Sequence, residues 1–348
     1  MKHNYFTNNF RLNGKQITSK EELLQYTKNE LTEVHDFFTE WFDDNNFIMV
    51  QTSGSTGKPK NIKVKKEFMV NSALATAKYF ELEDDDIHAL LSLSPKYIAG
   101  KMMLVRAITS GWNIDVVEPC SNPFKTDKIY DVTALVPLQV HHSIKDLHKA
   151  KLVLVGGGKV SSPLQKKLQK LNNTKIFSTY GMTETVTHIA VKKLNHVNGI
   201  TNYFEVLPNI KIQKDDRGCL VIDAPSISDE KVITNDIIKL IDDRHFCWIG
   251  RYDNIINSGG VKINPERVEE KLSNQIKKRF FIASQKDEAL GQKVILVVEG
   301  KQHTKSKIDT TIFDFLDRYE KPKHIYYIDK FIETKTGKVN RKACLELV

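Results

Sequence analysis

Residues 52–60 read TSGSTGKPK: small hydroxyl side chains and glycines in succession, then two lysines around a proline. Thr52, Ser53, Gly54, Ser55, Thr56 and Gly57 offer hydroxyls and unhindered backbone N–H groups at close spacing, which can wrap an anion. Lys58 and Lys60 add positive charge. The chemistry this suits is phosphate binding, although a plain Ser/Gly-rich connection between strands has the same composition. A Walker loop, G-x-x-x-x-G-K-S/T, does not fit. With Gly57 and Lys58 as its second glycine and lysine, the first glycine falls on Thr52 and the magnesium-binding hydroxyl on Pro59. A Walker loop also opens a helix, whereas Pro59 and the alternating NIKVK at 61–65 predict a loop between two strands.

Three later stretches carry chemistry of their own. STYGMTET at 178–185 follows the apolar TKIF and puts Thr183 and Glu184 where a strand ends, a usual place for ligand groups in open α/β sheets. GRYDNIINSGGVKINPERVEE at 250–270 has a turn-rich start and a double glycine ahead of a helix opened by proline. ETKTGKVNRK at 333–342 places Lys338 directly after a glycine in a polar C-terminal loop.

The elements that must position these residues can be read from periodicity. KEELLQYTKNELTEVHDFFTEWF at 20–42 has helical spacing, with Thr18 and Ser19 before it as caps. FIMV (47–50), IHALLSL (87–93), IDVV (114–117), VTALV (132–136) and KLVLV (151–155) read as strands, and helical stretches fall near 67–80, 100–110, 138–149 and 161–171. This alternation predicts an α/β sheet wound with helices. From about residue 203, short strands separated by turns such as DDRG (215–218) take over. A further helix-and-strand group from 264 to the end is enough for a small α+β domain. The boundary is expected near GRYDN (250–254), giving a large α/β unit over 1–251 and a small mobile α+β unit over 252–348.

Composition narrows the class of partner. The chain has 348 residues, 40% hydrophobic and 27% charged, ordinary for a globular protein. The start MKHNYFTNNF lacks the apolar stretch of a signal peptide, and no run approaches the length of a membrane span. Four cysteines lie far apart with no CxxC pair, which argues against a disulfide framework or a zinc site and suits a reducing cytoplasm. The net charge of +9 arises from 52 basic and 43 acidic residues. It is not gathered into a patch interleaved with aromatics, so neither a nucleic acid nor a membrane is the expected partner. A small polyanion is.

The order and spacing of the four segments resemble the adenylate-forming superfamily: acyl- and aryl-CoA ligases, luciferases and peptide-synthetase adenylation domains. TSGSTGKPK is similar to that family's S/T-S-G-S/T-T-G-x-P-K loop, and YGMTE to its YGxTE. GRYDNIINSGG is similar to its GRxDxxI…G, and GKVNR to its C-terminal GKxxR. The resemblance implies a reaction in which a carboxylic acid and ATP, with Mg2+, form an acyl adenylate and pyrophosphate, after which the acyl group passes to CoA. It implies that residues 52–57 with Lys60 hold the β- and γ-phosphates, Thr183 the α-phosphate, and Glu184 the magnesium ion. The adenine is then expected between Gly156-Gly157-Gly158 and Tyr180-Gly181-Met182, with Asp236 and Arg251 on the ribose. Lys338 is the lysine that bridges carboxylate and α-phosphate. Asp253 is the hinge about which the C-terminal unit rotates, turning Gly259, Gly260 and Lys262 toward CoA. Two departures stand out. The loop begins at 52, where relatives carry well over a hundred residues before it, so most of the usual N-terminal subdomain is expected to be missing. The ribose-binding TGD motif reads Thr234-Asn235-Asp236, with asparagine in place of glycine.

For the acid, SPKYIAGKMMLVRA (94–107), ALVPLQV (134–140) and VGGGKV (155–160) further resemble the o-succinylbenzoate–CoA ligases of menaquinone synthesis, a short bacterial form most of all. In that family the first stretch commonly reads FHxSG, and here Tyr97 stands in the histidine's place. The acid-binding candidates are Tyr97, Lys101, Arg106 and His188. If 100–110 is helical, Lys101 and Arg106 lie about 140° apart, so one faces the pocket, and the residues alone leave open which. His188, in VTHIAV, suits a packed histidine as well as a ligand. An acid–CoA ligase is the expected activity. The alternatives are an adenylation enzyme that loads a carrier protein, and a non-catalytic nucleotide- or nucleic-acid-binding protein. Glu184 and Lys338 count against the last, since a binder needs neither.

Overall fold

The computed structural model describes residues 6–7, 9–51, 61–84, 86–195, 200–301, 308–334 and 338–348. Ser19 caps the first helix, α1 (Lys20–Glu30), by accepting a hydrogen bond from the Glu22 N–H. The single helix expected over 20–42 is in fact two. Leu31 leaves helical geometry at φ −130°, and α2 (Thr32–Trp41) starts at once. The apolar stripe runs on across the break, because Thr27 and Val34 are seven residues apart and so within about 20° of one face. Periodicity alone therefore cannot see the bend. α3 (Lys66–Tyr79) and α4 (Ile98–Ser110) fill the stretches expected near 67–80 and 100–110. The helix expected over 138–149 ends early, as α5 (Pro137–His142), where Asp146 N–H bonds the Ser143 carbonyl and turns the chain. α6 (Ser162–Leu168) follows in the stretch expected near 161–171.

The helices are wound on one large mixed sheet, of thirteen strands among the described residues. Its first half is parallel. Asn113–Val116, His88–Leu91, Tyr130–Leu135, Ala150–Val155 and Lys175–Gly181 lie side by side in that order. Its second half is antiparallel, starting with His188–Lys193 and passing through Phe204–Val206 to His245–Arg251 and Val232–Leu240. The strand Lys175–Gly181 is thus where the sheet changes character, and it is the strand that ends in YGMTE.

FIMV and NIKVK form an antiparallel pair of their own, Phe47–Gln51 with Asn61–Lys65, with Gln51 opposite Asn61. The segment 52–60 therefore joins two strands. Thr52, Ser53, Gly54, Ser55, Thr56, Gly57 and Lys60 themselves lie outside the described residues. At the N-terminal end a short strand, Arg11–Leu12, docks parallel to Asn113–Val116. Phe10, Phe37, Phe38 and Trp41 fill the core beneath it, nearly or fully buried.

The chain leaves the large sheet at Arg251 and passes through a 3-10 turn, Tyr252–Asn254, into a second sheet of five strands. Phe280–Asp287 and Gly291–Glu299 form its antiparallel centre, with His324–Ile328 added parallel at one side. Alternation along these strands gives two apolar faces. One packs Val268 and Leu272 of α7 (Pro265–Leu272) with Ile282, Leu296 and Phe313. The other packs Phe281, Val297 and Phe331 with Cys344 of α8 (Arg341–Leu345). Among the described residues no helix is long and apolar enough to cross a membrane.

Phe38 is fully buried and packs its ring against Phe10, Phe37 and Phe42. Phe38→Ala is expected to destabilise the protein by about 3–5 kcal/mol in urea unfolding. A loss below about 1 kcal/mol would show that α1 and α2 stand outside the cooperative core.

Candidate active site

Two parallel strands deliver glycines and an aromatic ring to one edge of the sheet. Ala150–Val155 runs into Gly156–Gly158, and its neighbour Lys175–Gly181 ends on Tyr180 and Gly181. This is the carboxyl edge at which open α/β sheets gather ligand groups. A Cβ on Gly156 would stand 2.9 Å from the Thr179 hydroxyl, and Gly157 has φ +77°, so the floor between the strands is free of side chains. Gly181 is required for a different reason. A Cβ there would lie 2.2 Å from the Thr187 carbonyl oxygen, because the hairpin into His188–Lys193 turns back so tightly. Within that turn Val186 holds φ +65°, an outlier for a β-branched residue. Thr185, wholly buried, fixes the turn through its hydroxyl, which accepts from the Met182 N–H at 3.2 Å and donates to the Thr187 carbonyl at 3.0 Å. Thr183 is left half-buried and Glu184 exposed at the rim.

Beside Tyr180 sits a buried carboxylate. Asp236, 6% exposed, accepts from the Tyr180 hydroxyl at 2.6 Å and from the Trp248 indole N–H at 3.1 Å, and Arg251 Nη1 lies 3.5 Å away. Asp236 and Arg251 face each other across paired antiparallel strands. Burial, then the Asp236 charge, push the Tyr180 phenol far above its ordinary value, so it remains a donor. Arg251 also reaches Asp253, Nη2 to Oδ2 at 3.1 Å.

Lys338 comes to this place from the segment between the second sheet's last strand and α8. Its N–H donates to the Thr334 hydroxyl at 3.2 Å, and its carbonyl accepts from the Thr334 N–H, beside an antiparallel bridge of Glu333 with Val339. Burial and the neighbouring charge of Arg251 lower its pKa from the ordinary lysine value. The turn of the small sheet and the arginine of the large sheet thus share one electrostatic environment.

A second charged group is buried under the sheet. Arg106 on α4 is 3% exposed, and its Nε and Nη2 have no hydrogen-bond partner among the described residues. Nη1 reaches only the Met103 sulfur, at 3.8 Å. Burial lowers its pKa to about 10. Thr109 and Ser110, one turn along the same face, also carry buried hydroxyls without partners. His188, 6% exposed, contacts the Thr76 hydroxyl at 3.4 Å. Burial and the charge of Arg106 hold it well below its usual pKa, and so neutral.

Among the described residues no three His, Cys, Asp or Glu groups converge on a metal position. Glu184 offers one exposed carboxylate at the rim. That donor set suits a hard divalent cation whose other ligands are phosphate oxygens and water.

Residues 11–223 match the AMP-binding enzyme family. The chain belongs to that family. An acyl-CoA synthetase (AMP-forming)/AMP-acid ligase II-like protein from Dyadobacter fermentans is similar nearly end to end. It is 33% identical with a TM-score of 0.63, covering 95% of this chain and 98% of the other. A 2-succinylbenzoate–CoA ligase from Lactococcus lactis is 25% identical over 323 residues, covering 86% of this chain and 71% of the ligase. The o-succinylbenzoate coenzyme A synthetase of Bacillus subtilis, solved with ATP and a magnesium ion, shares the fold at a TM-score of 0.72 and 16% identity, over 95% of this chain and 82% of that one. The enzyme is accordingly an AMP-forming acyl-CoA ligase.

Of the residues expected from sequence, the structure brings Tyr180, Asp236, Arg251 and Lys338 together, with Gly156–Gly158 alongside and Met182, Thr183 and Glu184 on the adjoining turn. It brings Arg106 to His188. It does not bring Lys101 to either. Lys101 donates to Glu40 of α2 at 2.9 Å and lies over the Phe37 ring, on another face of α4. Tyr97 is the residue before α4, about two and a half turns from Arg106. Gly259 and Gly260 form the two-residue turn between Ile256–Ser258 and Val261–Ile263, with φ +58° and +82°, which this hairpin type demands. Leu290 and Tyr319 lie beside Gly259, Gly260 faces open space, and Lys262 stands opposite Asn257. Sequence reasoning missed Trp248, Thr185, Arg217 and Asn235 as working parts. Trp248 was within reach, since it repeats the parity of Phe246 and Gly250 along HFCWIGR.

His188 gives a pH test. Its folded pKa lies below the unfolded value near 6.5, so the unfolded chain binds the proton first as pH falls. The stability this contributes is complete above pH 6.5 and is lost below it, at up to about 1.4 kcal/mol per pH unit. Urea unfolding at pH 7.5 and 5.5 is expected to show a larger loss for wild type than for His188→Gln. Equal losses would mean that His188 charges freely in the folded protein.

Proposed function

We propose that the enzyme activates a dicarboxylic aryl acid, o-succinylbenzoate, as its adenylate and transfers the acyl group to CoA. The observation that carries the acid's class is Arg106. An unpaired guanidinium taken out of water is strongly unfavourable, and an anionic group placed against it offsets that penalty. A monocarboxylic acid spends its only charge at the α-phosphate. A dicarboxylic acid has a second charge for Arg106, with neutral His188 beside it. The similarity to 2-succinylbenzoate–CoA ligases supports the same acid.

In the first step a carboxylate oxygen attacks the α-phosphorus of ATP. The α–β phosphoanhydride bond breaks, and pyrophosphate leaves. Both partners are anions, so catalysis consists largely of positioning and neutralising charge. Tyr180 and the glycine floor at 156–158 take the adenine, and Asp236 with Arg251 the ribose hydroxyls. Thr183 faces the α-phosphate, and residues 52–57 with Lys60 enclose the β- and γ-phosphates. Glu184 would hold the magnesium ion, which when bound neutralises phosphate charge. Lys338 bridges the incoming carboxylate and an α-phosphate oxygen. Its lowered pKa is raised again when those anions arrive, so its proton is held most firmly while the reaction proceeds. In the second step the CoA sulfur attacks the acyl carbonyl, AMP leaves, and the thiol proton passes to solvent. For this the unit 252–348 turns about Asp253, withdrawing Lys338 and presenting Gly259, Gly260 and Lys262 to the pantetheine arm.

Purified enzyme with ATP, Mg2+, CoA and o-succinylbenzoate is expected to yield AMP and o-succinylbenzoyl-CoA by mass spectrometry, with little thioester from benzoate, a fatty acid or an amino acid. AMP without thioester would identify a carrier-protein thiol as the acceptor. Arg106→Gln is expected to raise KM for o-succinylbenzoate about 30- to 100-fold. A KM that does not move would remove the dianion argument. Lys338→Ala should abolish pyrophosphate release while ATP binding stays within about threefold. In wild type, kcat/KM for pyrophosphate release, which follows the free enzyme, is expected to fall on an alkaline limb centred below pH 10.5 as Lys338 loses its proton. Persistence of adenylation in Lys338→Ala would rule that lysine out.

A further inference from the structure

Asn235 stands where the ribose-binding motif of this family carries glycine, and its side chain is held at both its oxygen and its nitrogen. Its Nδ2 lies 3.1 Å from both carboxylate oxygens of Asp253, a forked hydrogen bond from the amide to one carboxylate. The amide cannot turn over, because its Oδ1 accepts from Arg217 Nη1 at 2.8 Å. Arg217 is itself immobilised. Its Nε donates to Asp215 at 2.8 Å, its Nη2 bonds the Thr234 carbonyl at 3.0 Å and lies 2.7 Å from Asp215, and its guanidinium lies over the Tyr252 ring. The turn at 215–218 is fixed in turn by Asp215, which accepts the N–H groups of Arg217 and Cys219. A rigid hairpin of the large sheet thus grips Asp253, the middle residue of the turn where the chain crosses to the small sheet.

Arg251 completes the connection. It is shared by two carboxylates, reaching Asp253 at 3.1 Å and Asp236 at 3.5 Å. We infer that Asn235 is a positioning residue that couples occupancy of the ribose site to the joint between the sheets. The inference rests on the reading of Asp236 and Arg251 as the ribose-facing pair. Two ribose hydroxyls donating to Asp236 would satisfy its oxygens and release Arg251 from the longer of its two contacts. Arg251 then pairs fully with Asp253, which Asn235 already holds from the opposite side, and the joint stiffens. With glycine at 235 the Asp253 carboxylate is free to follow Arg251, and the turn has nothing fixed to brace against. A bound nucleotide therefore restrains Lys338 near the site, and its departure frees the small sheet to move.

The joint carries its own reporter, since the Ile255 N–H bonds the Tyr252 carbonyl at 3.2 Å. Adenosine, which has the ribose and no phosphate, is the probe. Its affinity is measured by calorimetry, and exchange at the Ile255 amide by hydrogen–deuterium exchange, on wild type, Asn235→Gly and Asn235→Asp. In wild type adenosine is expected to slow exchange at Ile255 by about fivefold or more. In Asn235→Gly that slowing is expected to vanish, with adenosine affinity changed by less than about threefold. Asn235→Asp, which sets carboxylate against carboxylate, is expected to exchange faster than wild type even before adenosine is added. If adenosine binds and slows Ile255 equally in wild type and Asn235→Gly, or leaves wild type unaffected, the coupling is overturned. If adenosine does not bind wild type, the ribose reading fails and the inference falls with it.

Discussion

The carboxylate of Asp236 is buried, and a buried carboxylate must be surrounded by donors or give up its charge. The donors it recruits come from both halves of the sheet. Tyr180 arrives at the end of the last parallel strand, Trp248 and Arg251 on the antiparallel strand beside Asp236. Meeting this one demand fixes how the parallel half of the sheet meets the antiparallel half. It also fixes Arg251, and through Arg251 the residue at which the chain turns toward the second sheet. The strained φ of Val186 and the contact that forbids a side chain on Gly181 lie in the hairpin that joins those halves. Strain there is tolerated because Thr185 and the core on both sides over-determine the turn.

Arg106 shows the opposite design. Asp236 is saturated by its own protein, whereas two nitrogens of the Arg106 guanidinium have no acceptor among the described residues. Burial lowers its pKa, yet at about 10 it remains cationic at neutral pH. Burial, and then the Arg106 charge, keep His188 neutral, so the region presents one cation and one uncharged ring rather than two cations. A saturated group organises structure. An unsaturated one is suited to a ligand of opposite charge.

Much of this was legible in the sequence, and the reasons differ by residue. Glycines and strand ends speak for themselves: Gly156–Gly158, Tyr180 and Gly181 could be placed because the strands KLVLV and TKIF end on them. The loop at 52–60 could be assigned between strands because proline and alternation exclude a helix there. The break at Leu31 could not be seen, since the apolar stripe keeps its phase across it. Nor could the separate surroundings of Lys101 and Arg106. Helix geometry says that the two diverge, but the partner of Lys101 is Glu40, 61 residues earlier on α2. The role of Asn235 needed three pieces far apart in sequence: the 215–218 turn, position 235 and Asp253. Each has a local meaning when read alone, and only the register of the antiparallel strands brings them side by side.

That division of labour bears on how the C-terminal unit would serve both steps of the proposed reaction. Lys338 lies after the last strand of the second sheet, yet its electrostatic neighbour Arg251 lies on the first sheet. A cation whose field comes from another unit has that field only while the two are together. Moving it away requires no change in its own turn, where Thr334 holds it from both sides. What must change is the crossing at 252–254, a single 3-10 turn with no buried residue. So slight an element resists rotation only through the side chains that grip it. Those are polar, partly exposed and individually weak, each worth roughly 1 kcal/mol or so. A joint held by a few such bonds is stable enough to have a preferred position and weak enough for the binding of one nucleotide to reset it.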